Sequence, residues 1–185
     1  FKADFDDLDE VVELARQAVG LLGGVDCLVN NAGINRPTPG LEVDRENWDD
    51  HFDTNVRGGF FCAQAVAPKM IENKFGRIIF ISSQSGLVGI PGQPIYCASK
   101  GAVVLLTKAM AIDFGPDNIR VNCLAPGPVK TELWRASMGR EGDPAVEAVH
   151  EHGLGQDEAP DEQEDDGIGE RRERLAHALP AVARG

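Results

Sequence analysis

The sequence predicts an open α/β domain built on a parallel sheet, and three observations lead there. Short, apolar, β-branched runs alternate with longer stretches whose apolar residues recur every three or four positions. Each short run ends in a turn of Gly, Pro or Asn. Strand and helix signals alternate throughout, which requires parallel pairing through right-handed crossovers.

From Asp7 to Gly20, the residues Leu8, Val11, Val12, Ala15, Ala18 and Val19 form one face of an amphipathic helix, with Gly20 or Gly23-Gly24 ending it. Val25-Asp26-Cys27-Leu28-Val29 then reads as a buried strand entering the tight turn Asn30-Asn31-Ala32-Gly33. A loop with Pro37, Pro39 and Gly40 leads to one long helical stretch from Arg45 to Glu72, changed in texture at Gly58-Gly59. Arg77 to Ser82 is a second strand. After a Gly/Pro-rich loop from Ser83 to Pro94, a helix is expected from Ile95 to Phe114, stopped by Gly115-Pro116. Ile119 to Leu124 is a third strand, closed by Ala125-Pro126-Gly127-Pro128.

Bulk properties exclude several classes. With 185 residues, 42% of them hydrophobic, one domain with a real core is expected. The apolar runs are short and interrupted, so no membrane span is expected. A net charge of −12 argues against nucleic acid as a partner, because phosphate backbones are held by clustered Lys and Arg. Cys27, Cys62, Cys97 and Cys123 lie far apart in apolar segments and read as free thiols of a reducing, cytoplasmic setting. No metal site is expected, since no strand or helix frames the His150 and His152 pair.

Acidity concentrates at the end of the chain. Residues 136–185 hold 13 acidic and 5 basic side chains, and 7 of the 10 residues from Asp157 to Asp166 are acidic. The reading is a domain over residues 1–135 and a disordered or weakly helical acidic tail over 136–185.

The chemistry is carried by the helix after Ser83. Tyr96 and Lys100 stand four residues apart, on the same helix face. A free phenol with a pKa near 10 is a poor proton shuttle at neutral pH. An ammonium about 4 Å away would favour the phenolate by about 4 kcal/mol at an effective dielectric of ~20, roughly three pKa units. The expectation is a phenol brought near 7, able to give a proton to a carbonyl oxygen or take one from an alcohol.

Taken together, Asn30-Asn31-Ala32-Gly33, Asn55, Ser83 with Tyr96 and Lys100, and Pro126-Gly127 resemble the short-chain dehydrogenase/reductase family over about residues 1–135. The resemblance implies a Rossmann-type, doubly wound parallel sheet and an NAD(P)(H)-dependent oxidoreductase that interconverts a carbonyl and a secondary alcohol. Its narrower forms are 3-oxoacyl-carrier-protein reductase-like and sugar/polyol dehydrogenase-like. It also implies that Lys100 holds the nicotinamide ribose, Ser83 orients the substrate oxygen, and Asn55 holds a water linking Lys100 to solvent. NAD or NADP would lie beside Asn31, Ala32 and Gly33. Asp4 and Phe5 would meet the adenine end, at the close of a strand. Tyr96, Lys100, Pro126, Gly127, Val129 and Thr131 would flank the nicotinamide. Trp134 and residues 84–88 would line the substrate pocket. A homodimer or homotetramer would form through the helices of Arg45 to Glu72 and Ile95 to Phe114.

The sequence departs from the family in one respect above all. The turn T-G-x-x-x-G-x-G, whose backbone N–H groups bind the cofactor pyrophosphate, is not among its residues, so the first βαβ unit is missing from the expected fold. The expectation drawn from this is a fragment or truncated gene model of a longer enzyme. The rival reading is a non-catalytic remnant that acts by oligomerising or through its acidic tail.

Overall fold

The computed structural model describes residues 2–5 and 7–129, and Thr131, Trp134 and the acidic tail lie outside the described residues. The elements run α1 (Leu8–Leu22), β1 (Cys27–Asn30), α2 (Arg45–Phe52), a π-helical turn (Asp53–Arg57), α3 (Gly58–Glu72), β2 (Gly76–Ile81), α4 (Pro94–Phe114) and β3 (Ile119–Leu124), with single 3₁₀ turns at Gln84–Gly86 and Gly115–Asp117. The three strands are parallel in the order β1-β2-β3. Each crossover moves one place in the same direction, so right-handedness sets their helices on one face of the sheet.

Burial agrees with that arrangement. Leu28, Ile78 and Val121 lie in one cross-sheet row, and Asn30, Phe80 and Cys123 in the next. In β3, Ile119 and Val121 are buried while Arg120, Asn122 and Leu124 are exposed, a strict alternation for one covered face. Against the covered face pack Cys62, Val66 and Met70 of α3 and Val103 and Met110 of α4, and α1 packs on α3, adding Val11 and Ala15 to the same buried cluster. Met70, Ile78 and Ile119 are among the largest fully buried side chains, each contributing about 1.5–3 kcal/mol.

Local chemistry fixes the helix ends. Asp7 caps α1 by accepting from Asp9 N and Glu10 N, and Gly23 closes it at φ 69°, where a side chain would be strained. Pro94 begins α4 at a position whose N–H needs no helical partner.

The expected helical stretch runs from Arg45 to Glu72 as α2, the π-helical turn at Asp53–Arg57 and α3, its change in texture falling directly before Gly58-Gly59. One expectation is corrected. Residues 2–5 are not a strand, because the free side of β1 offers them no ladder partner among the described residues. By length and composition alone Pro94–Asp117 would pass for a membrane span; in this structure α4 packs on β2 and β3 and buries Lys100.

Candidate active site

The polar residues gather where the strands end. Ser83 follows β2, Asn31-Ala32-Gly33 follow β1, and Pro126-Gly127 follow β3, all at carboxyl ends of parallel strands. Facing them, α4 presents Tyr96 (9% exposed) and, one turn on, Lys100 (4%). Gly86 permits this approach: a Cβ there would stand 2.6 Å from the Lys100 carbonyl oxygen and 2.8 Å from Ser82 Oγ. Ser82 Oγ donates to that same carbonyl at 2.8 Å, pinning the strand end to α4.

Ser83 Oγ accepts from Ser85 N at 3.1 Å, which leaves its own hydrogen free to point elsewhere. It also stands close enough to the Tyr96 hydroxyl to favour the phenolate. Burial pushes the Tyr96 phenol above its ordinary range; Ser83 pulls it down and the nearby Cys97 adds a smaller upward push. Burial also lowers the Lys100 amine to about 8, partly offset by Cys123.

The expectation that the lysine charge brings the phenol near 7 is therefore corrected. Lys100 Nζ stands 5.8 Å from the Tyr96 ring centroid and donates to the Ile81 carbonyl at 3.0 Å. Residue spacing put both groups on one face, but desolvation dominates each of them. What works on the phenol directly is Ser83.

Asn55 is 6% exposed in the π-helical turn. Its Oδ1 accepts from Ile34 N at 2.7 Å, and its Nδ2 donates to Ile34 O at 3.1 Å and to Ser99 Oγ at 2.9 Å. The side chain thus grips the loop leaving β1 on both sides of one residue. Ser99, fully buried, passes the bond on to the Tyr96 carbonyl at 2.9 Å. Sequence reasoning missed Ser99, although its place directly before Lys100 on the buried face was the available signal. A Cβ on Gly33 would meet Lys100 Nζ at 3.1 Å and Asn55 Oδ1 at 3.2 Å, so Gly33, Asn55 and Lys100 converge.

Other expected residues are placed more loosely. Phe5 and Ala32 line a cavity together with Asn30, Thr54, Asn55 and Phe80. Asp4 is exposed, its backbone N donating to Glu10 Oε2 at 2.9 Å. Asn31 lies exposed beyond β1. The Pro126 carbonyl accepts from Gln84 N at 2.9 Å, and a Cβ on Gly127 would be 3.5 Å from Gln84 Oε1. Val129 is exposed, and Thr131 lies outside the described residues.

An open parallel sheet with polar side chains converging at the carboxyl ends of its strands defines a ligand-binding α/β domain. The chain belongs to the short chain dehydrogenase family, whose model matches residues 1–141. It is 38% identical over 149 residues to the 3-oxoacyl-(acyl-carrier-protein) reductase FabG of Staphylococcus epidermidis, an alignment covering 80% of this chain and 61% of that protein. The chain thus spans about three-fifths of the length of this relative. Among solved structures, NADPH-bound ElxO matches at TM-score 0.72 and 31% identity over 80% of this chain and 61% of its own. NAD+-bound xylitol dehydrogenase matches at TM-score 0.69 and 32% identity over 74% and 53% respectively.

The residues present fit the ribose and nicotinamide half of such a cofactor. Gly33 leaves open the space beside Lys100 Nζ that a Cβ would fill. Asn30, lining the cavity, carries a buried Nδ2 with no hydrogen-bond partner, a donor suited to a ligand oxygen.

Proposed function

We propose that the chain carries the catalytic site of an NAD(P)(H)-dependent oxidoreductase interconverting a carbonyl and a secondary alcohol. One observation carries the reading: Tyr96 and Lys100, both buried one turn apart on α4, face Ser83 at the carboxyl edge of a parallel sheet. A bound nicotinamide would supply or accept the hydride. The residues do the rest. Ser83 holds the substrate oxygen beside the phenol, Tyr96 gives that oxygen a proton as an alcohol forms, and Lys100, mostly cationic below about 8, would hold the ribose of the nucleotide. In the alcohol-oxidising direction, the same groups take the proton away. Asn55 fixes the loop so that Gly33 stays against Lys100, and it retains one lone pair for a water on the relay to solvent.

For substrate, we favour an apolar carbonyl of the 3-oxoacyl type over a sugar or polyol. Beyond Ser83, Leu87 and Val88 are 64% and 57% exposed, and no residue from Ser83 to Ile95 is charged. Exposed apolar side chains beside a polar reacting centre suit a substrate with an apolar tail. Similarity to a 3-oxoacyl-(acyl-carrier-protein) reductase supports the same choice. NAD and NADP are both retained as cofactor. We place the protein in the cytoplasm and as a homodimer or homotetramer through the helices of Arg45 to Glu72 and α4, the latter with Leu105 and Ile112 exposed.

The test is a titration of the intrinsic tryptophan fluorescence with NADH and then NADPH, followed by an assay with an acetoacetyl thioester. A saturable response to one nucleotide with thioester turnover is expected. No saturable response to either would favour the non-catalytic remnant.

A further inference from the structure

His51 is wholly buried on α2, and the chemistry above assigns it no task. Its ring nitrogens face opposite kinds of partner. Nε2 lies 3.2 Å from the Arg36 backbone N, which only donates, and Nδ1 lies 2.7 Å from the Asn47 carbonyl, which only accepts. Both contacts hold only for the neutral ring with its hydrogen on Nδ1. A second proton would set one N–H against another.

The contact with Arg36 falls into register with Asn55. Asn55 holds Ile34, and His51, one helical turn earlier, holds Arg36, two residues further along the loop. Two extended residues advance about 6.6 Å and four helical residues about 6 Å, so alternate loop residues meet side chains one turn apart. The result is a two-rung ladder that lays the loop leaving β1 along the helix. Arg36 is gripped further: its carbonyl accepts from Asn47 Nδ2 at 3.4 Å, and its guanidinium pairs with Asp50.

On its other side His51 meets the Tyr96 ring edge-on, with centroids 6.3 Å apart and planes at 67°. The ionisable groups seen around His51 are therefore Arg36 from the loop, Asp50 from α2 and Tyr96 from α4.

We propose that His51 is a positioning residue of the site: as the Nδ1–H ring it fixes the Gly33–Arg36 loop and the Tyr96 ring relative to one another. Only the kinetic consequence of this rests on the oxidoreductase reading.

Tyr96 is the single tyrosine of the chain, so ultraviolet absorbance titration of the phenolate reports it alone. In His51→Leu, the loosened loop admits water, and Tyr96 is expected to titrate closer to free tyrosine. His51→Gln, which keeps an oxygen able to accept from Arg36 N, restores the original titration. In the unsubstituted chain, nitrogen-15 shifts of the ring are expected to show the hydrogen on Nδ1 and a bare Nε2.

A hydrogen found on Nε2 overturns the proposal, even if His51→Leu fails to fold. So does a folded His51→Leu chain whose Tyr96 titration and Arg36 amide match the original. Carbonyl turnover should fall about tenfold in kcat/KM in His51→Leu and recover in His51→Gln. Absence of turnover in all chains, with the titration shift intact, would count against the oxidoreductase reading while supporting this one.

Discussion

Two helical stretches enclose the site, and they build it by opposite means. α4 runs unbroken for 21 residues, and its regular period alone stacks Tyr96 over Lys100. The other stretch runs α2, π-helical turn, α3, and it delivers Asn55 from the five residues where the period fails. A widened turn changes the direction in which each later side chain leaves the axis. It lets Asn55 reach both the loop and Ser99, while His51, one turn earlier, reaches Arg36. The regular helix supplies the reacting groups; the irregular one holds the loop against them.

If that division is right, the largest loss of activity comes from α4. Tyr96→Phe removes the proton donor and keeps the ring, so kcat should drop about 10²–10⁴-fold with little change in Tm. Steady-state assay beside thermal unfolding checks this; retained turnover would move the chemistry off α4.

The second expectation concerns stability. Burial lowers Lys100 to about 8 in the folded chain, against 10.5 for the ordinary side chain. The unfolded chain therefore binds more protons between these values. This part of the stability is present at high pH and is lost as pH falls through about 8. Tyr96 and Cys62, both raised by burial, act in the opposite sense at alkaline pH, so the comparison must be with Lys100→Met. From pH ~8 to ~10, the original chain should gain about 2–3 kcal/mol relative to that variant, read by denaturant unfolding. Parallel pH profiles would mean that the amine is not desolvated as placed.

How much of this could be read in advance follows the same divide. The strands were legible because β-branched runs ending in Gly, Pro or Asn mark buried strands, and β2 and β3 fall within a residue of their expected bounds. Tyr96 and Lys100 were legible because four residues make one turn of a regular helix. The π-helical turn was legible only as a change in texture: Gly58-Gly59 drew attention, and the widened turn lies directly before them at Asp53–Arg57. Tertiary bonds from Asn55 to Ile34 and Ser99 stabilise it, and a local pattern does not encode those. The expected strand ending near Phe5 needed a ladder partner that the described residues do not offer. The phenol's electrostatics were misjudged because spacing gives separation along a helix but says nothing about burial, the dominant influence on both groups.

A third, smaller effect probes where α4 meets the sheet. In Gly86→Ala the new methyl would stand 2.6 Å from a backbone oxygen of α4, and backbone yields less readily than a side chain tip. A loss of about 1–3 kcal/mol is expected, with activity falling as Ser83 and Tyr96 separate. By contrast, Gly89→Ala meets nothing within 4 Å and should be neutral. Equal Tm values for the two variants would show that the close approach of loop and helix is not needed.

The smallest expected effect tests whether the two helices act as one unit. Ser99 is the joint, accepting from Asn55 Nδ2 and donating to the Tyr96 carbonyl. Ser99→Ala leaves Asn55 its two bonds to Ile34, so the loop keeps its grip, and the loss should be about 1 kcal/mol. The informative quantity is the coupling in a double-mutant cycle with Asn55→Ala. Because the Asn55 amide already binds Ile34, removing Ser99 after Asn55 should cost less than removing it first. Strict additivity would mean that α4 and the π-helical turn are stabilised independently, and that the bond between them only fills space.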